Sequence, residues 1–214
     1  GATDITAGQI RWTWQDTSTD ETGFLLWADP GSGIPMTQRT TTTPNTGAWL
    51  HTGLTPNTVH TFQVAATSPW GDSERTDPYS VWTLAAVPAA PFVNGATGNS
   101  LNVGVGAGDG NPAGTEYALY CVTTGQWLDG GGAFAVGPVW QSALAWGAVT
   151  VTGLAENTAY AFSATARNSA GVETTAGPEG LGWTLDVTPP VLDTVVSVPA
   201  FAREGQTVVL AFTS

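Results

Sequence analysis

The stretch TGLTPNTVHTF at positions 52–62 returns as TGLAENTAYAF at 152–162, one hundred residues downstream. The echo continues: Ala66 matches Ala166, Gly71 matches Gly171, and VWTLAAVP at 81–88 returns as GWTLDVTP at 182–189. A repeat of this length is a domain, because solenoid units run to only about 20–50 residues. The chain of 214 residues has room for two such copies, each large enough to bury its own core.

Within each copy the commonest pattern is alternation with a period of two. Ile10, Trp12 and Trp14 alternate in IRWTW, Phe24, Leu26 and Ala28 in GFLLWA, and Phe62, Val64 and Ala66 in TFQVA. The second copy follows with Leu101, Val103 and Val105, then Tyr117, Leu119 and Cys121, then Tyr160, Phe162, Ala164 and Ala166. Turn clusters such as DTSTDETG, DPGSG, TPNT and SPWGDS separate these runs, and no periodic segment reaches helix length. Short strands at this density predict an all-β chain of antiparallel sandwiches with negligible helix.

These residues resemble the fibronectin type III domain, in the form common in bacterial extracellular proteins. The likeness is carried in the first copy by Trp14, by STDETGF at 18–24, by GLTPNTVHTFQVAA at 53–66 and by YSVWTL at 79–84. In the second copy it is carried by GLAENTAYAFSATARNSAG at 153–171. The resemblance implies two sandwiches in a row, over residues 1–87 and 88–187, the second with an enlarged Trp- and Gly-rich C to E region. It also implies structural corners at Leu54 and His60 and at Leu154 and Tyr160. In that family the corner tyrosine ties the E to F connection back to a nearby backbone group. Tyr160 fills that position, whereas His60 stands there in copy one and would have to donate from its imidazole instead. Residues 188–214 look like the opening two strands of a bacterial immunoglobulin-like domain, with Val208, Leu210 and Phe212 alternating in the second. Two strands do not make a stable sandwich alone, so this incomplete segment is expected either to belong to a further domain or to pair with a neighbouring chain.

Charge narrows the partners. Seventeen acidic residues oppose five basic ones, all arginine, giving a net charge of −12. Nucleic acid and anionic membrane surfaces are recognised through clustered Lys and Arg, so neither is an expected partner, and no apolar run approaches the length of a membrane span. Cys121 is the single cysteine and lies on an alternating apolar face, so the copies hold together without an internal disulfide. The two histidines, His51 and His60, flank the corner of copy one in no spacing that makes a catalytic triad, and two ligands make a poor zinc site. Asp16, Asp20 and Glu21 lack the Gly and terminal Glu of an EF-hand loop. No catalytic residue, metal or cofactor is expected, and the chain reads as a non-enzyme.

Ten tryptophans remain. Trp12, Trp14 and Trp49 fall on expected core faces, and Trp82 and Trp183 on last strands, so these five are expected to serve packing. Trp70 in the F to G turn, and Trp127, Trp140 and Trp146 in or beside the 125–149 insertion, fit a sandwich interior less readily. They are the candidate binding residues for a protein or glycan ligand; the competing expectation is that the insertion folds back and they cover a sheet edge. The connectors LAAVPAAPF and LDVTPPV are short and proline-bearing, hence stiff. These features lead to the expectation of a non-catalytic structural or adhesive spacer of a secreted or cell-surface protein, its partners being other domains of the same or neighbouring chains. The alternatives are an extracellular filament subunit that pairs through its C-terminal strands, and a glycan-contacting accessory module of a polysaccharide-degrading enzyme.

Overall fold

The computed structural model describes residues 1–190, apart from 30 and 32–34, together with Glu204 and Gly205. The expected two-strand tail, with Val208, Leu210 and Phe212, lies outside the described residues.

The first copy contains β1 (Ala2–Thr3), β2 (Gln9–Thr13), β3 (Gly23–Ala28), β4 (Thr37–Thr41), β5 (Ala48–Thr52), β6 (Val59–Ser68), β7 (Gly71–Asp72) and β8 (Tyr79–Trp82). One sheet has the order β1-β2-β5; the other has the order β4-β3-β6-β7, with β8 also paired to β6. All pairings are antiparallel. The period-two alternation turns Ile10 and Trp12 from one sheet onto Phe24, Leu26, Ala28, Phe62 and Val64 from the other, and these form one buried cluster. At its centre Trp12 stacks on Phe62 with ring centroids 5.0 Å apart. Aromatic and β-branched residues suit this pleated, half-buried surface, which is why IRWTW and TFQVA form strands.

The second copy contains β9 (Phe92–Asn94), β10 (Ser100–Gly104), β11 (Glu116–Cys121), β12 (Gln126–Leu128), β13 (Phe134–Ala135), β14 (Gln141–Ser142), α1 (Ala143–Trp146), β15 (Val149–Thr152), β16 (Ala159–Arg167) and β17 (Gly180–Trp183). Its sheets are β15-β10-β9 and β13-β12-β11-β16-β17, with β14 also on β11. A separate buried cluster, including Leu101, Val103, Tyr117, Leu119, Cys121, Val151, Phe162 and Ala164, lies between them. The insertion is built into this framework. β12 and β13 widen the larger sheet by two strands, and β14 leads into the single turn α1, capped by the Ser142 hydroxyl accepting from Ala145 N–H.

The repeated corner has a backbone reason. Gly53 and Gly153 both sit at φ 74°, and Asn57 and Asn157 at φ 44° and 49°. Glycine adopts this left-handed conformation freely and asparagine tolerates it better than most residues. The motif therefore fixes two unusual torsions four residues apart, and the same turn is written at the same place in each copy.

Candidate functional site

The polar residues with the most defined geometry lie where the two sandwiches meet. The Asn57 side chain leaves the corner of copy one and enters the front of copy two, where only 7% of the residue stays exposed. Its Nδ2 donates to Thr115 Oγ1 at 2.9 Å, and its Oδ1 accepts from the Ser169 backbone N–H at 2.7 Å. Beside it, Asn168 Nδ2 donates to the Thr83 carbonyl at 3.0 Å, while Asn168 Oδ1 accepts from Ala170 and Val172 N–H and so closes its own F to G turn. From the loop between β10 and β11, Asn111 reaches the connector: its Oδ1 accepts from Ala86 N–H at 2.7 Å and its Nδ2 donates to Ala86 O at 2.9 Å. A buried carboxamide needs its donors and acceptors satisfied; Asn57 and Asn168 are buried, Asn111 is half-buried, and each of the three makes at least one bond across the joint.

The groups behind the joint are themselves fixed. Asp109 accepts from Asn111 N–H and Nδ2 and from the Tyr117 hydroxyl at 2.8 Å. Burial, followed by the Asp109 carboxylate, pushes the Tyr117 hydroxyl up, so it stays a protonated donor. A polar cleft of about 280 Å³ opens at the joint, lined by Asn57, Gly114, Glu116, Arg167, Asn168 and Ser169. Arg167 spans its side, paired with Glu116 at 2.6 Å and lying 4.7 Å from the Trp140 ring centroid. This guanidinium is thus already engaged by a carboxylate and an aromatic face.

At the corner of copy two, Leu154 is buried in the core and the Tyr160 hydroxyl accepts from Ala155 N–H at 2.8 Å. In copy one Leu54 packs partly buried against the core, and His60 is fully buried. His60 makes no equivalent bond: among the described residues neither of its ring nitrogens has a hydrogen-bond partner. Nδ1 stands 3.5 Å from Asp29 Oδ1, beyond a good hydrogen bond, and that oxygen accepts from Thr61 N–H at 3.0 Å. In both copies a threonine from the segment after the last strand also ties the corner. Thr83 Oγ1 donates to Thr55 O and accepts from Thr58 N–H, and Thr184 Oγ1 does the same with Ala155 O and Thr158 N–H. Among the described residues no three His, Cys, Asp or Glu side chains converge as a metal site.

The candidate tryptophans separate. Trp70 is 92% exposed at the tip of its turn. Trp127 is half-buried against Tyr120, with centroids 4.9 Å apart, and Trp140 is half-buried under Arg167. Trp146 corrects the sequence expectation: it lies in the core of copy two and its Nε1 donates to Tyr117 O at 2.8 Å. The turn α1 carries it inward, so the insertion supplies the core as well as the rim. Trp183 is corrected in the opposite sense; it is 59% exposed on the outer face of the last strand.

Sequence reasoning missed Asn57, Asn111, Asn168, Thr83 and Thr184. The signal available was the recurrence of Asn-Thr in both corners and of Trp-Thr-Leu in both last strands, which reads equally well as ordinary turn and strand chemistry.

No protein-family model matches this sequence, and no curated protein matches it. Solved structures do match. A two-domain fibronectin type III segment of chicken tenascin aligns with a TM-score of 0.60 over 86% of this chain and 97% of its own, at 14% identity. The fold is therefore that of fibronectin type III domains in tandem. The FN1–FN3 domains of chicken CNTN1 align at 19% identity over 87% of this chain and 66% of theirs, with a TM-score of 0.34. Such a fold hosts many functions, and activity has to be argued from the sites themselves.

Proposed function

We propose that this chain is a non-catalytic, semi-rigid spacer segment of a secreted or cell-surface protein. The observation that carries the reading is the joint, where the Asn57 carboxamide is buried between the sandwiches and satisfied on both sides by the following one. Interfaces between domains of one chain are by default mobile unless large or well fixed. Here three asparagine side chains and a proline-bearing connector hold two sandwiches in a row, which is what a spacer requires. No helix among the described residues is long and apolar enough to cross a membrane.

Small-angle X-ray scattering of the 214-residue chain, with nuclear relaxation of both sandwiches, tests this. A spacer gives one rotational diffusion tensor for both copies. Two independent tensors, or hydrolysis by the pure chain that a carboxylate substitution abolishes, would overturn the reading.

The glycan-contacting alternative loses support, because none of the insertion tryptophans is exposed: Trp127 and Trp140 are half-buried. Only Trp70 stands fully in water, and Trp146 is in the core.

A further inference from the structure

The far end of the second sandwich repeats the surface that the first sandwich buries in the joint. Asn157 holds the corner position of Asn57, with the same left-handed backbone. Its N–H donates to Leu185 O at 3.2 Å, as that of Asn57 donates to Leu84 O at 3.0 Å. Thr158 N–H donates to Thr184 Oγ1 at 3.0 Å, as Thr58 N–H donates to Thr83 Oγ1 at 3.0 Å. The frame that aims the carboxamide is thus the same in both copies.

What differs is the covering. Asn57 is buried with both ends of its carboxamide bonded, whereas Asn157 is exposed and its carboxamide makes no hydrogen bond among the described residues. Leu84 and Ala86, on the segment that follows β8 into the first joint, are half-buried. Their counterparts Leu185 and Val187 are 52% and 58% exposed. Polar anchor and apolar surround are both present at the second corner and both open.

We infer that this end, formed by Asn157, the Thr184 carbonyl, Leu185 and Val187, is a docking surface for a further sandwich module whose front resembles that of residues 88–187. The occupant is defined by what receives the end of the first sandwich: the Thr115 hydroxyl ahead of β11 and the Ser169 N–H take Asn57, the Asn168 carboxamide takes the Thr83 carbonyl, and Asn111, in the Asp-x-Asn loop between β10 and β11, takes the Ala86 backbone. The front of this chain's own first sandwich does not qualify. Phe24 pairs with Ala66 as Tyr117 pairs with Ala166, so Thr22 stands at the place of Thr115, but Ser68-Pro69 stands at that of Asn168-Ser169. Proline has no N–H to give the Asn157 oxygen, and Ser18 replaces Asn111. A second copy docking head to tail would leave the carboxamide oxygen without its donor. A module of the second kind satisfies it and repeats the joint.

This inference rests on the spacer reading, and the experiment separates their failures. The probe is an extended chain in which residues 88–187 follow once more after position 188, compared with the 214-residue chain; alignment tensors from residual dipolar couplings are read for each sandwich. Asn157→Gly removes the carboxamide and tolerates the left-handed backbone. The expected result is one tensor for all three sandwiches of the extended chain, with N157G releasing the appended sandwich alone while its amide spectrum stays folded. In the 214-residue chain N157G leaves the common tensor of the two sandwiches unchanged. An appended sandwich that tumbles independently while the first two share a tensor overturns the inference, as does an N157G variant that keeps all three locked. If the first two sandwiches tumble independently as well, the spacer reading falls with it.

Discussion

The Ser169 backbone N–H donates to the Asn57 carboxamide oxygen at 2.7 Å, joining residues 112 positions apart in sequence and in different sandwiches. The bond works because each partner is fixed from behind: Asn57 by a left-handed backbone whose N–H is held by Leu84 O, and Ser169 by the turn that Asn168 closes on itself. The orientation of the two sandwiches is therefore set by side chains with little freedom of their own.

Asn57→Gly in the 214-residue chain removes two hydrogen bonds of the joint while leaving the backbone free to keep its torsion. Each such bond contributes about 0.5–1.5 kcal/mol net, so the expected loss is about 1–3 kcal/mol, confined to the interface. Relaxation measurements should show the two sandwiches acquiring separate rotational tensors, with each amide spectrum preserved. Asn57→Ala should cost about 1–2 kcal/mol more, because alanine resists the left-handed region.

Tyr160→Phe deletes the hydroxyl that accepts from Ala155 N–H but keeps the buried ring. The expected loss in urea unfolding is about 1 kcal/mol, borne by the second sandwich alone. Thr184→Val, which removes both an acceptor for Thr158 N–H and a donor to Ala155 O, should cost more, about 1–3 kcal/mol, because it strands two backbone groups. If the tyrosine rather than the threonine dominates, the assignment of the corner lock is wrong.

Much of this fold is legible in the chain. Alternation in IRWTW, GFLLWA and TFQVA identifies the strands and their dry faces, because burial on one side of a sheet imposes a period of two. The joint is not legible for a physical reason: Asn57 and Ser169 belong to turns, where Asn and Ser are common for local backbone reasons, and only the three-dimensional apposition reveals a second use. Trp146 is hidden differently. A single helical turn has no periodicity to detect, so nothing in SALAWG marks the tryptophan as inward-facing. Trp183 misleads because side chains alternate across a strand, and here Leu181 and Trp183 take the face turned away from the core.

Trp146→Ala should destabilise the second sandwich by about 3–5 kcal/mol, the usual cost of emptying a large aromatic site, and should leave the first sandwich near its original midpoint. Differential scanning calorimetry resolves the two contributions. Trp127→Ala, on the half-buried rim, should cost clearly less. Equal losses would place Trp127 in the core as well.

The His51 and His60 pair gives the first sandwich a pH dependence of definite sign. Burial, followed by the positive charges of Arg39 and His60, lowers the His51 pKa to about 4, the nearby Asp29 carboxylate opposing the shift. Burial lowers that of His60 too, again against Asp29. In the unfolded chain both rings take up a proton near the ordinary value of about 6.5. Between that pH and about 4 the unfolded state binds more protons than the folded one, so stability falls as pH falls. Both groups contribute fully at neutral pH. Urea midpoints of the first sandwich should therefore drop between pH 7 and pH 5, a window above most carboxylate titration, while those of the second sandwich, which has no histidine, hold steady. His51→Phe keeps the stacking on Trp49, whose ring centroid lies 4.6 Å away, and removes one titrating group. Its slope over the same window should be shallower; an unchanged slope would show that His51 binds protons equally in the folded and unfolded states.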